Sequence, residues 1–171
     1  MPIVISVVGK KGSGKSEVLE ALITFLTSRS FQVGVLKHIA REDVEIDSPG
    51  TDTFRYRMSG AQKVVMSGKK RLAVFANLSG ELPFEEMMFL FRDFDLVFLE
   101  GYVQNDFPKI EVHKSALGDF LLTERVKNVI AICSDGNGRV DVPCFSFGEL
   151  HKLSDFIENN LLRKELSVSC K

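Results

Sequence analysis

The run Gly9-Lys10-Lys11-Gly12-Ser13-Gly14-Lys15-Ser16 has the spacing G-x-x-x-x-G-K-[ST], and its residue types suit the grip of a polyphosphate. Glycines let the backbone curl until its N–H groups converge, because they tolerate positive φ and put no Cβ between backbone and ligand. Lys15 is expected to reach the β- and γ-phosphates of a nucleotide, and the Ser16 hydroxyl to ligate Mg²⁺. Every residue from Gly9 through Ser16, together with Glu17, is therefore a candidate nucleotide contact.

A second chemically informative stretch is Asp95-Leu96-Val97-Phe98-Leu99-Glu100-Gly101-Tyr102, in which an apolar run ends in one carboxylate and a glycine. That is the form of a Walker B strand. Glu100 is expected to hold Mg²⁺ through water or to orient a water attacking the γ-phosphate, which makes Lys15 and Glu100 the candidate catalytic pair. Asp47 and Asp52 offer two further carboxylates for the metal, and Lys37, His38 and Arg55 are candidates to line the cleft beside the phosphates. Asp135 could accept hydrogen bonds from guanine N1 and N2, with a turn-forming Asp-Gly pair as the equal alternative. No Asn-Lys-x-Asp motif accompanies it, so the residues alone do not choose the base.

These side chains need an edge to stand on. Ile3 to Val8 reads as a β-branched strand feeding the glycine-rich loop, and Val18, Leu19, Leu22, Ile23, Phe25 and Leu26 recur at helical spacing after it, to about Arg29 or Ser30. Phe31 to His38 reads as a second strand, parallel to the first through a right-handed crossover. Ala40 to Gly50 is acidic and polar and reads as a mobile loop over the phosphates; Thr51-Asp52-Thr53 then starts a helix that Gly60 ends. Lys63 to Ser67 and Arg71 to Ala76 form an expected hairpin insert, and Leu82 to Phe91 an expected helix whose Phe and Met side chains read as core. Pro108 to Lys114 alternates and reads as an edge strand, Val126 to Cys133 as a buried one, and Val142 to Phe147 as the last. Glu149 to Leu162 is the closing amphipathic helix. The predicted class is α/β: a three-layer P-loop NTPase-type fold with a mostly parallel central sheet and a small antiparallel insert.

Bulk properties narrow the function. The 171 residues suit one domain, with about 165–171 as a loose tail. Lys and Arg number 22 against 23 Asp and Glu, so no chain-wide basic field points to nucleic acid. No apolar run approaches bilayer length and the chain opens directly on a strand, so neither a membrane nor a secretory signal is expected and the predicted location is cytoplasmic. Cys133, Cys144 and Cys170 form no C-x-x-C pair; two are expected to pack as small hydrophobes.

Gly9 to Ser16, Lys37-His38, Asp47-Ser48-Pro49-Gly50-Thr51-Asp52, Arg55, Gly60-Ala61, Asp95 to Tyr102 and Lys109-Ile110-Glu111-Val112 together resemble, in order and spacing, the molybdopterin-guanine dinucleotide biosynthesis protein B family, MobB. The resemblance implies a homodimeric GTP-binding protein with weak Mg²⁺-dependent GTPase activity. Its implied role is to assist the guanylyltransferase MobA, which joins GMP from GTP to molybdopterin. It also implies that Ser134 and Asp135 approach the guanine. One departure stands out: the family carries two consecutive Thr after the loop lysine, and this chain has Ser16-Glu17. A carboxylate at Glu17 opposes a bound triphosphate, and Lys10-Lys11 is the expected compensation. Two other readings stay open from the residues: a small-molecule kinase using the same loop, and a nucleotide-stabilised scaffold without turnover.

Overall fold

The computed structural model describes residues 1–39, 44–118, 126–136 and 141–163. The chain packs as two compact units, one of Met1–His38 with Phe91–Lys171 and one of Ile39–Leu90.

In the first unit, β1 (Ile3–Val8), β2 (Val33–Lys37), β5 (Leu96–Glu100), β6 (Lys109–His113), β7 (Val129–Ser134) and β8 (Cys144–Phe145) form one sheet in the order β2-β5-β1-β6-β7-β8. All five pairings are parallel. Every loop that follows a strand therefore emerges at the same edge, which is the physical reason the candidate residues after β1, β2, β5 and β7 share a neighbourhood. β2 does not pair with β1; β5 lies between them, with Val33 to Lys37 in register with Leu96 to Glu100.

One face of the sheet is apolar. Ile5, Val7, Phe98, Ile110, Val112 and Cys133 pack with Val18, Leu22 and Leu26 of α1 (Lys15–Ser28) and with Leu153 and Ile157 of α4 (Leu150–Ile157), which a π-helical turn, Glu158–Leu162, continues. Arg29, just past α1, bridges to Asp155 and Glu158 at 2.7 Å each, and Arg163 reaches Glu158 at 2.6 Å. The alternate residues on the other face include Ser6, Lys109, Glu111, His113 and Ser134, all buried.

That second face corrects the expectation for Lys109–His113. β6 is not an edge strand: it lies between β1 and β7 and all five residues are buried. Its polar alternation is satisfied internally. Lys109 Nζ donates to the carbonyls of Asn105 and Phe107, and the His113 ring bonds Ser134 Oγ and the Gly118 carbonyl. Periodicity reads polar side chains as solvated, and here backbone carbonyls take the place of water.

In the second unit, Thr51 caps α2 (Asp52–Met58) by accepting the Phe54 N–H, and Gly60 follows with φ 103°. β3 (Lys63–Ser67) and β4 (Leu72–Ala76) pair antiparallel as a sheet of their own, so the expected insert is a separate hairpin. The expected helix at Leu82–Phe91 is α3 (Phe84–Met88) with a 3-10 turn at Phe89–Phe91. It is not core: none of its residues is buried, and Phe89 and Leu90 are 65% and 74% exposed. Cys133 is buried as expected, whereas Cys144, on the two-residue edge strand β8, is exposed. Cys170 and the whole expected tail, with residues 40–43 of the acidic loop, lie outside the described residues. No helix among the described residues is long and apolar enough to cross a membrane.

Candidate functional site

The glycine-rich loop joins β1 to α1. Gly9 has φ 153°, and a Cβ there would sit 2.2 Å from the Val112 carbonyl oxygen, so the loop leaves β1 pressed against the backbone of β6. Gly12 (φ 82°) and Gly14 (φ 93°) take the left-handed turn that brings the chain round to the helix, and Gly14 is its N-cap. Gly14 supplies no side-chain acceptor, and the helix amino terminus stays open to an external anion.

Lys15, the first residue of α1, folds back over the loop. Its Nζ donates to the carbonyls of Gly9 (2.9 Å) and Lys10 (2.8 Å). Burial pulls its pKa below the ordinary lysine value, Glu100 partly restores it, and Lys37 lowers it again. A cavity of about 380 Å³ is lined by Lys11, Gly12, Gly14, Lys15, Ser16, Glu17 and Glu100. It brings together the two candidate catalytic residues and the candidate metal hydroxyl.

Glu100 reaches this cavity because β5 runs beside both β1 and β2. Its register partners are Val7, two residues before the loop, and Lys37. Lys37 Nζ lies 3.1 Å from Glu100 Oε2, whose side chain is 15% exposed. The next residue, Gly101 (φ 95°), approaches the His38 backbone so closely that a Cβ would lie 3.2 Å from the His38 carbonyl oxygen. The His38 N–H donates to the Glu100 carbonyl at 2.9 Å, and the His38 and Tyr102 rings meet at 5.3 Å. Lys37-His38 and Glu100-Gly101-Tyr102 thus form one interlocked corner.

The candidates in the second unit have local partners. Asp47 Oδ1 accepts from the Ser48 N–H and from the Thr51 and Thr53 hydroxyls, organising the start of α2, and its Oδ2 stands 3.7 Å from Arg57. Asp52 and Arg55 form an exposed pair at 3.2 Å. In the first unit, Asp135 Oδ1 accepts the Ser115 N–H at 2.7 Å, and that bond holds its carboxyl below the usual carboxylate range. Ser134 Oγ accepts the Gly136 N–H and contacts His113. Lys10 donates to the Leu117 carbonyl at 2.9 Å, and Lys11 lines the cavity with Glu17.

Sequence reasoning missed Lys114. It follows β6, lies against Gly14, and stands 3.8 Å from Glu17. Its signal was the one that marked Lys37, a lysine at the carboxyl end of a strand, and reading β6 as an edge strand discounted it.

Residues 4–135 match the family model described as molybdopterin guanine dinucleotide synthesis protein B, MobB. The chain belongs to this family. It is 28% identical over 160 residues to the molybdopterin-guanine dinucleotide biosynthesis adapter protein of Haemophilus influenzae, covering 91% of this chain and 87% of that protein. It is also 28% identical over 153 residues to the Escherichia coli adapter protein of the same name, covering 85% and 86%. In fold it is similar to the crystal structure of a MobB homologue from Bacillus stearothermophilus (TM-score 0.72, 22% identity, 94% of this chain and 98% of that one). A second MobB crystal structure aligns with TM-score 0.73 at 24% identity, over 93% and 100%. The MobB match spans the glycine-rich loop, the Lys37-His38 and Glu100-Gly101-Tyr102 corner, and β6.

Proposed function

We propose that this MobB-family chain is a GTP-binding, weakly GTP-hydrolysing adapter in molybdopterin-guanine dinucleotide biosynthesis, a cytoplasmic partner of a MobA-type guanylyltransferase acting on molybdopterin. The observation that carries the nucleotide part is the cavity in which Lys15, Ser16 and Glu100 meet beneath an open helix amino terminus. The adapter part rests on relatives that bear that name.

The residues fit a Mg²⁺-nucleotide. No Cβ built on Gly12 would meet any atom within 4 Å, so the loop presents bare backbone to the cavity. Among the described residues no cluster of three or more His, Cys, Asp or Glu could hold a metal alone. Mg²⁺ is commonly held by one or two carboxylates plus phosphate oxygens, and Ser16 with Glu100 suit that arrangement. Bound Mg²⁺ supplies neutralisation of phosphate charge. Lys15 exchanges its two loop carbonyls for phosphate oxygens, the loop amides hold the phosphates, Lys37 and His38 flank them, and Glu100 orients the attacking water. Ser134, which ends β7, and Asp135 after it are the residues this reading assigns to the guanine.

Self-association as a homodimer belongs to the same proposal, with a changed basis. β6 leaves no edge to cover, but the hairpin does leave a face: Val65 and Val74 are direct cross-strand partners, and with Leu72 they are exposed on one side. A two-stranded sheet is marginal by itself, and a two-fold copy is the commonest cover.

The test is nucleotide binding by Lys15→Ala. The folded variant should lose GTP binding; unchanged affinity would overturn the site.

A further inference from the structure

Lys114 places an ammonium where a cation is electrostatically unfavourable. Its Cε and Nζ come within 3.3 Å of the position a Cβ would take on Gly14, the N-cap of α1. A helix amino terminus carries partial positive charge and unpaired N–H groups, so it repels a lysine and attracts an anion. The contacts holding Lys114 there are modest. Glu17 Oε2 is 3.8 Å away, with the two side chains 36% and 64% exposed, and the Phe147 ring centroid is 5.1 Å away. An exposed pair at that distance contributes little.

Glu17 sharpens the problem. It lines the phosphate cavity in the first turn of α1, so a bound polyphosphate meets a carboxylate there. Lys11 lines the same cavity, and the Lys10 ammonium donates to the Leu117 carbonyl. Lys15 is engaged with the loop carbonyls and serves the terminal phosphates. Lys114 is a further cation there, with its Nζ 3.8 Å from Glu17 and its stem bordering Gly14.

We propose that Lys114 is a further phosphate-binding residue of this site, offsetting Glu17 and contacting the α/β-phosphate stretch of a bound nucleotide; this rests on the nucleotide reading above. Glu17 and the Phe147 face hold the ammonium in readiness. The flexible four-carbon stem moves it between Glu17 and a phosphate oxygen without any displacement of β6.

Calorimetric titration of the full chain with Mg·GTP, and with inorganic tripolyphosphate as a probe lacking the nucleoside, tests this in four proteins: the parent, Lys114→Gln, Glu17→Thr and the double variant. Loss of one charge-assisted phosphate contact should weaken GTP and tripolyphosphate binding alike, each by about 10-fold. In the Glu17→Thr background the same substitution should still weaken both by about 10-fold or more, because the phosphate contact is lost there too and Glu17 no longer competes for the ammonium. Lys114→Arg, which keeps the charge, should restore most of the affinity and excludes a merely steric cause. Equal affinity in the parent and Lys114→Gln overturns the proposal while leaving the nucleotide site intact. A loss confined to GTP also overturns it, placing Lys114 on the nucleoside. If the parent binds neither ligand, the nucleotide reading falls and this proposal with it.

Discussion

Lys37 Nζ and Glu100 Oε2 stand 3.1 Å apart across the parallel strands β2 and β5, in direct register, and Glu100 also lines the cavity that contains Lys15. One carboxylate is thereby shared between a neighbouring strand's cation and the phosphate site. Glu100→Gln keeps the size of the side chain and removes its charge. GTP hydrolysis should fall at least about 10-fold, while GTP affinity without Mg²⁺ is maintained or improved, since a negative charge near the phosphates is gone. Single-turnover hydrolysis and binding with and without Mg²⁺ check this. Unaltered hydrolysis would favour the scaffold reading, in which turnover plays no part.

The glycines of the loop should differ in what they tolerate. At Gly9 an added methyl meets the Val112 backbone oxygen at 2.2 Å, which no side-chain adjustment relieves, whereas at Gly12 it meets open space. Gly9→Ala should cost roughly 1–3 kcal/mol or more through overpacking. Gly12→Ala should cost about 1–2 kcal/mol, from its positive φ alone. Denaturant melts of both variants measure the difference; an equal or larger loss at Gly12 would show that the loop does not press on β6.

Much of this arrangement was legible in the residues because local signals and burial agreed. β1, the glycine loop and α1 follow from a β-branched run, a spacing and a helical period. Glu100 was legible because a fully apolar strand ends on it. β6 was misread because Lys109, Glu111 and His113 are polar yet buried, and nothing local announces that Asn105, Phe107 and Gly118 supply acceptors for two of them. α3 failed in the opposite sense. Its aromatic and Met content implied burial, and the second unit leaves Phe89 and Leu90 exposed. The Lys10 contact with Leu117 joins residues 107 positions apart, beyond the reach of any pattern along the chain.

Glu158 sits between Arg29 and Arg163, whose hydrogen bonds hold its carboxyl below the ordinary glutamate value, Arg163 contributing most. A folded-state pKa below the unfolded one adds stability above the unfolded pKa of about 4.3, and that stability is lost as pH falls through the folded value. Glu158→Gln should therefore lower Tm at pH 7 and flatten the decline of Tm below about pH 4.3. Thermal melts from pH 7 down to 3 test it, and parallel curves for parent and variant would refute the linkage.

The exposed strip of Val65, Leu72 and Val74 should behave as an interface. Light scattering at micromolar protein is expected to give a dimer mass, and Val74→Lys should shift it to monomer, since charge at an apolar contact is costly to bury. A parent that is monomeric with and without GTP and Mg²⁺ would refute self-association.

The central claim is that the loop between β1 and α1 binds a nucleotide through Lys15. Isothermal titration of GTP and Mg²⁺ into the parent and Lys15→Ala, with circular dichroism to verify that both are folded, tests it most directly. Saturable one-site binding by the parent and a loss of at least about 100-fold in the variant is the predicted result. Equal affinity in the two folded proteins would contradict it.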